Sequence, residues 1–89
     1  MLNRIRTYLA IRRVRRMEKL FDTLSAAAPA EIRKSVTLKR KLRALTRYYE
    51  GGTWLEDFER DERGEFPADL KRGVLSEDGI YNLLTKDEI

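Results

Sequence analysis

The sequence predicts an all-α protein, and three observations carry this prediction. Apolar residues recur at helical spacing in both halves of the chain, glycine and proline separate these segments, and no segment alternates as a strand does. At 89 residues, the chain is expected to be one domain, 1–89. We expect an antiparallel two-helix hairpin, 3–24 and 29–50, closed by short C-terminal helices at about 53–62, 67–72 and 76–85.

The first predicted helix, 3–24, has a clear apolar stripe only in its second half. At 100° per residue, five apolar residues fall within one third of the helix circumference: Val14, Met17, Leu20, Phe21 and Leu24. Ile5 and Leu9 also lie together, but they are rotated from that stripe. The Arg-rich segment 1–13 is therefore expected to be an extension that either is mobile or binds a partner.

The second predicted helix, 29–50, begins at Pro29, a residue suited to a first helical turn. Its apolar residues follow spacings of 4, 3 and 4, the seam of a coiled-coil pair: Leu38, Leu42, Leu45 and Tyr49. Ile32 and Val36 are rotated away from this seam. The helix is therefore expected either to bend or to bury two faces.

Turn and cap residues divide the remainder of the chain. Gly51 and Gly52 are expected to end the second helix, and Thr53 with Glu56 reads as a capping box that starts the third. Ser76 should cap the last helix. The acidic residues of the third helix are expected mostly on its outside: Glu56, Asp57, Glu59, Asp61 and Glu62.

Composition restricts the chemistry that the chain can perform. It has no cysteine and no histidine, which excludes thiolate nucleophiles, the usual zinc signatures and Ser/His dyads. An acidic run from Asp57 fails the spacing of a calcium loop, and Asp57 and Asp61 are more typical of a helix surface than of a metal or acid–base pair. We therefore expect no enzymatic activity, cofactor or small-molecule substrate. The absence of cysteine and of a long apolar run favours a cytoplasmic protein without a membrane span.

Charge is distributed unevenly. Residues 1–47 hold 14 Lys/Arg and 3 Asp/Glu, whereas residues 48–89 hold 5 and 12. Eight residues form a candidate basic interaction face: Arg12, Arg13, Arg15, Arg16, Lys39, Arg40, Arg43 and Arg47. Such a face predicts a protein partner or a homo-oligomer, with nucleic-acid binding as the alternative. A third interpretation is that the two halves compensate each other and that these charges are merely solvated.

The stretch YYEGGTWLEDFERDERGEFPADLKRGVLSEDGIYNLL, 48–84, resembles the C-terminal signature of a bacterial family, domain of unknown function 4298. RRMEKLFD, 15–22, resembles the opening helix of that family more weakly. The resemblance implies a small helical bacterial protein with no assigned activity, such as a bacterial or phage-type modulator. The motif residues are then expected to be mainly structural: Tyr48, Tyr49, Trp54, Phe58, Asp69, Leu70, Lys71, Arg72, Gly73, Leu75, Ser76, Asp78, Tyr81 and Leu84.

Within this motif, the segment 69–84 is expected to fold back over the helical hairpin. Leu75 and Leu84 should then be buried. Lys71 and Arg72 are positive charges in the acidic half of the chain. They are expected either to pair internally with Asp69, Glu65 or Asp78, or to present a point for a partner.

Overall fold

A computed structural model describes residues 2–85, and helices joined by short loops account for most of them. No strand occurs among these residues, and none of their helices is long and apolar enough to cross a membrane. The all-α prediction is confirmed. The elements are α1 (Leu2–Ala26), α2 (Pro29–Lys34), α3 (Val36–Glu50), α4 (Thr53–Glu62), a short 3-10 helix (Gly73–Leu75) and α5 (Glu77–Leu84).

The core lies where α1 packs against α3, the 3-10 helix and α5. The stripe predicted on the second half of α1 is confirmed, because Val14 and Leu24 are fully buried and Phe21 packs against the core. On α3, the seam residue Leu45 is fully buried, and the other seam residues are partly buried. The prediction of the apolar faces therefore holds for both long segments.

Ser35 divides the predicted helix 29–50 into α2 and α3. Its backbone is extended, with φ −109° and ψ 121°, so the helical hydrogen-bond ladder stops there. The Ser35 Oγ accepts a hydrogen bond from the Leu38 N–H at 3.1 Å and so caps α3. The break lets Ile32, on α2, reach the core at 1% exposure. The segment predicted as one helix, 29–50, is thus two helices, and the bend that the rotation of Ile32 had indicated as one alternative occurs at Ser35.

The start of α4 differs from the predicted capping box. Gly52, at φ 94°, is the N-cap, and no side chain caps this end of the helix. A left-handed backbone suits glycine, so the helix begins one residue earlier than a Thr53 cap would allow. Thr53 is the first residue of α4 rather than its cap. The predicted end of the preceding helix at the glycine pair is confirmed, since α3 ends at Glu50.

The predicted helix 67–72 is wrong. The chain makes one turn, in which the Leu70 N–H donates to the Pro67 carbonyl at 3.1 Å, and then continues without helix. The Arg72 guanidinium donates to the Pro67 carbonyl at 2.6 Å and to the Leu70 carbonyl at 3.2 Å. A side chain therefore satisfies backbone acceptors that a helix would have satisfied with its own amides.

The 3-10 helix is held against α1 through the backbone of Val74. Its N–H donates to the Glu18 carboxylate at 2.7 Å, and its carbonyl accepts from the Trp54 indole at 2.8 Å. A Cβ on Gly73 would lie 3.1 Å from Glu18 Oε2, and one on Gly79 would lie 3.2 Å from the Phe21 ring. Both glycines therefore permit the close approach of this segment to α1.

The C-terminal segment packs on α1 and α3, and one of its two burial predictions is met in full. Leu75 is buried at 3% exposure, and Leu84 is partly buried against the core. The Ser76 Oγ accepts from the Gly79 N–H at 3.3 Å, which confirms the predicted cap of α5.

Candidate functional site

A buried charge network joins three helices, and its centre is Asp57 of α4. The sequence prediction placed Asp57 on the outside, but its side chain is 0% exposed. Arg13 of α1 donates through Nε to Asp57 Oδ2 at 2.8 Å and through Nη2 to Oδ1, and the Tyr48 hydroxyl of α3 donates to Oδ2 at 2.7 Å. A buried carboxylate requires such partners, and the network explains why this acidic residue faces inward.

The same environment perturbs the ionisation of both partners of Asp57. Burial, followed by the hydrogen bond to Asp57, raises the pKa of Tyr48 well above its ordinary value. The hydrogen bond to Asp57 raises the pKa of Arg13. The phenol therefore stays neutral and the guanidinium stays charged, and together they engage both oxygens of the carboxylate.

Asp61 lies one turn further along α4, and it pairs with Arg72 rather than with Asp57. The predicted internal pairing of Arg72 is thus present, but with a partner other than the three expected carboxylates. Lys71 is exposed. Among residues 2–85, no group of three or more His, Cys, Asp or Glu side chains could hold a metal ion.

Seven of the eight predicted basic residues are exposed, and they fall into two groups. On α1, Arg12, Arg15 and Arg16 are exposed and line a surface depression of about 340 Å³. The predicted basic residues of α3 are all exposed: Lys39, Arg40, Arg43 and Arg47. Lys39 and Arg43 line another depression of about 320 Å³. Arg13 differs from all of these, because its guanidinium is bound to Asp57.

The first half of α1 exposes apolar side chains beside these arginines. Ile5, Tyr8 and Leu9 are 54%, 59% and 51% exposed. At 1.5 Å per residue, α1 is about 38 Å long and α3 about 22 Å, so α3 is too short to cover the whole of α1. The Arg12 guanidinium lies 6.0 Å from the centroid of the Tyr8 ring. We call the following set the outer face of α1: Ile5, Tyr8, Leu9, Arg12, Arg15, Arg16 and Lys19.

The sequence predicted part of this face. The rotation of Ile5 and Leu9 away from the buried stripe was the available signal, and both side chains are indeed exposed. The predicted extension 1–13 is nevertheless helical from Leu2 and continuous with the rest of α1. Glu18 and Phe66, which are buried, were not singled out at all.

The motif residues divide into packed and exposed sets. The Trp54 ring stacks on Phe58 with centroids 5.1 Å apart and meets Tyr49 edge-on at 5.0 Å. Tyr48 and Leu70 are buried as well. The exposed motif residues are Asp69, Lys71, Gly73, Ser76, Asp78 and Tyr81.

Comparison with known proteins supplies a family and no closer relative. No curated protein and no solved structure matches the chain significantly. The sequence profile of one family, described as Domain of unknown function (DUF4298), matches residues 14–89. That span begins at Val14, next to the arginine of the buried network, and includes all the motif residues named above. The chain therefore belongs to the DUF4298 family.

Proposed function

We propose that this chain is a non-enzymatic interaction protein that binds an acidic protein partner through the outer face of α1. The observation that carries the proposal is the exposure of Ile5, Tyr8 and Leu9 among arginines, on the side of a helix that faces away from its own core. Folding normally buries such side chains, and their exposure as a group favours an interaction surface. We place this activity in the cytoplasm of a bacterium.

Charge on this face specifies the kind of partner. The first acidic residue of the chain is Glu18, and its carboxylate is turned inward to the Val74 amide. Arg12, Arg15 and Arg16 therefore have no acidic neighbour earlier in the sequence. A positive surface attracts and orients an acidic partner, while apolar contacts supply affinity. Tyrosine and arginine are also the side chains that most often dominate binding energy at interfaces.

The rigidity of α1 supports the proposal. The second half of the helix is fixed in the core by Val14 and Leu24, and the Arg13–Asp57 contact fixes its middle. A surface presented on a preformed helix loses little conformational entropy when it binds.

We take the longer helices to form an antiparallel hairpin, which the two-residue connection between α1 and α2 favours.

Nucleic-acid binding is the second candidate function, because exposed cations on both α1 and α3 could neutralise phosphates. Sequence-tolerant binding of single strands also needs exposed aromatic rings on which bases stack. In the described part of residues 1–49, Tyr8 is exposed, whereas Phe21, Tyr48 and Tyr49 are at least partly buried. One exposed ring makes this candidate weaker than a protein partner.

Site-specific photo-crosslinking tests the proposal. A photo-reactive residue at Leu9 of the full-length chain, expressed in the source cell, should crosslink an acidic protein that mass spectrometry identifies. The matched control carries the same group at Leu55, which is equally exposed at 51% but lies on the acidic α4. Charge reversal of Arg12, Arg15 and Arg16 to Glu in the Leu9 version should abolish the crosslink.

The other outcomes either identify a different function or contradict the proposal. Crosslinked nucleic acid, with affinity that falls steeply with salt, would favour the second candidate. A crosslink to a second copy, with a mass that rises with concentration, would indicate a homo-oligomer instead. Equal yields from Leu9 and Leu55 would contradict the proposal.

A further inference from the structure

A groove of about 630 Å³ lies between the first half of α1 and the end of α4, and it shares Tyr8 with the depression beside Arg12, Arg15 and Arg16. Arg4 and Arg6 line it from α1, and Arg60, Arg63 and Glu65 line it from the other side. We propose that this groove binds the phosphate group of a small phosphorylated molecule. Its volume lies within the range of about 300–1,000 Å³ that is usual for small-molecule sites.

Electrostatics favours an anion in this groove. Four guanidinium groups and one carboxylate line it, so its local charge is strongly positive. Within residues 2–85, neither Arg4 nor Arg6 forms a salt bridge. A concave surface of one charge sign concentrates the electric field and attracts ions of the opposite sign. Guanidinium groups also match the geometry of phosphate oxygens, with two donors to two oxygens.

Glu65 shows how an anion sits in the groove. Its Oε2 accepts from Arg63 Nε at 2.6 Å, and its Oε1 accepts from Arg60 Nη1 at 3.4 Å. The hydrogen bond from Arg63 is the main reason that the pKa of Glu65 is lowered, so this carboxylate stays charged. A carboxylate has two oxygens, whereas a phosphate monoester offers three unshared ones. Glu65 is therefore an internal competitor that a phosphate would displace.

Arg60 supplies an independent observation. Its Nε is buried, yet it has no hydrogen-bond partner among the described residues. An unpaired buried donor is unfavourable, and native proteins contain few of them. The same guanidinium holds Glu65 only through the long contact at Nη1. Arg60 therefore has hydrogen-bonding capacity that Glu65 does not use, in a groove of excess positive charge.

The wall of the groove distinguishes two sources of phosphate. Tyr8 and Ile11 line it beside the arginines, and the Tyr8 ring is 59% exposed. Free inorganic phosphate would use the guanidinium groups alone. A phosphate ester with an aromatic body would also contact the ring, and we therefore favour an aromatic phosphomonoester.

Titration of the full-length chain with inorganic phosphate and with phenyl phosphate, followed by amide NMR shifts, tests this inference. Arg63→Gln should weaken binding of both probes about tenfold, since one charged hydrogen bond is lost. Glu65→Gln should strengthen it, because the internal competitor loses its charge. Tyr8→Ala should weaken phenyl phosphate selectively. The matched control is Arg43→Gln on α3, an exposed arginine outside the groove, which should leave both affinities unchanged.

Three results would overturn the inference. These are equal binding by the wild type and Arg63→Gln, equal weakening by Arg63→Gln and Arg43→Gln, or weaker binding by Glu65→Gln. Stronger binding of phosphate than of phenyl phosphate would retain the anion site and reject the aromatic ester. The outer-face change of Arg12, Arg15 and Arg16 to Glu leaves every groove arginine in place, so crosslinking at Leu9 tests the proposed function separately.

Discussion

The two halves of α1 contain similar residue types, but their large apolar side chains differ in how far they are buried. In the second half, Val14 and Leu24 are fully buried, and Glu18 holds the backbone of Val74. In the first half, Ile5 and Leu9 are more than half exposed, although the helix continues unbroken. Helix formation is therefore common to both halves, and what differs is the burial of their large apolar side chains.

The neighbours Arg12 and Arg13 show this contrast at the scale of one residue. They point about 100° apart on the helix. Arg13 meets the buried carboxylate of Asp57, whereas Arg12 lies near the exposed ring of Tyr8. One arginine is thus part of the buried network, and the other is exposed at the surface. Each arginine of such a run therefore has to be assigned separately, either to the buried network or to the exposed surface.

A large loss of stability is expected from removing the Asp57 carboxylate, which binds Arg13 but not Arg12. Asp57→Ala should lower the free energy of unfolding by about 3 kcal/mol, near the lower limit for a broken buried pair, because the Arg13 side chain keeps 27% exposure to water. The Tyr48 hydroxyl also loses its acceptor. Urea denaturation followed by circular dichroism measures this change.

Asp61→Ala is the matched control for that measurement. Asp61 lies on the same helix, but its salt bridge with Arg72 is between partly exposed side chains, so its loss should cost about 1 kcal/mol or less. Equal losses for the two aspartates would contradict the assignment of Asp57 as the buried link between helices.

An intermediate effect is expected from Tyr48 at high pH. Because its pKa is raised in the folded state, the native chain keeps a proton that the unfolded chain loses above about pH 10. The free energy of unfolding should then fall by up to about 1.4 kcal/mol for each further pH unit, and this stabilisation is fully present below pH 10. Denaturation between pH 8 and 11 measures the slope.

Tyr48→Phe should remove this part of the slope. Tyr81→Phe should retain it, because the Tyr81 ring is 56% exposed in the folded chain. A slope that is unchanged in Tyr48→Phe would show that other groups cause the alkaline loss of stability.

Local patterns in the sequence predicted the helices and much of the core. Apolar periodicity identified the stripe on α1 and the seam on α3, and Ser76 was correctly predicted to cap α5. These features depend on residues within one or two turns of each other. The prediction of a helix at 67–72 was wrong, and the hydrogen bonds that Arg72 donates to the backbone there cannot be inferred from apolar periodicity.

The candidate site was predicted less well, because its chemistry depends on residues far apart in the chain. The Arg13–Asp57 pair spans 44 positions, and the Glu18–Val74 contact spans 56. Nothing in the local sequence distinguishes Asp57 or Glu18 from an acidic residue that stays exposed to solvent. The groove beside Glu65 likewise requires the ends of α1 and α4 to meet. On the outer face, the local pattern did indicate the rotation of Ile5 and Leu9 and the basic residues Arg12, Arg15 and Arg16.

The smallest expected effect tests the exposed half of α1 directly. Leu9→Ala should change the free energy of unfolding by less than about 0.5 kcal/mol, because the side chain is 51% exposed. The matched substitution on the same helix, Leu24→Ala, removes a fully buried side chain and should cost about 2–5 kcal/mol. Thermal denaturation of both variants, at two protein concentrations, measures the difference. A large loss for Leu9→Ala that grows with concentration would mean that a second copy covers this face, and the outer face would then be a self-association surface rather than one for an acidic partner.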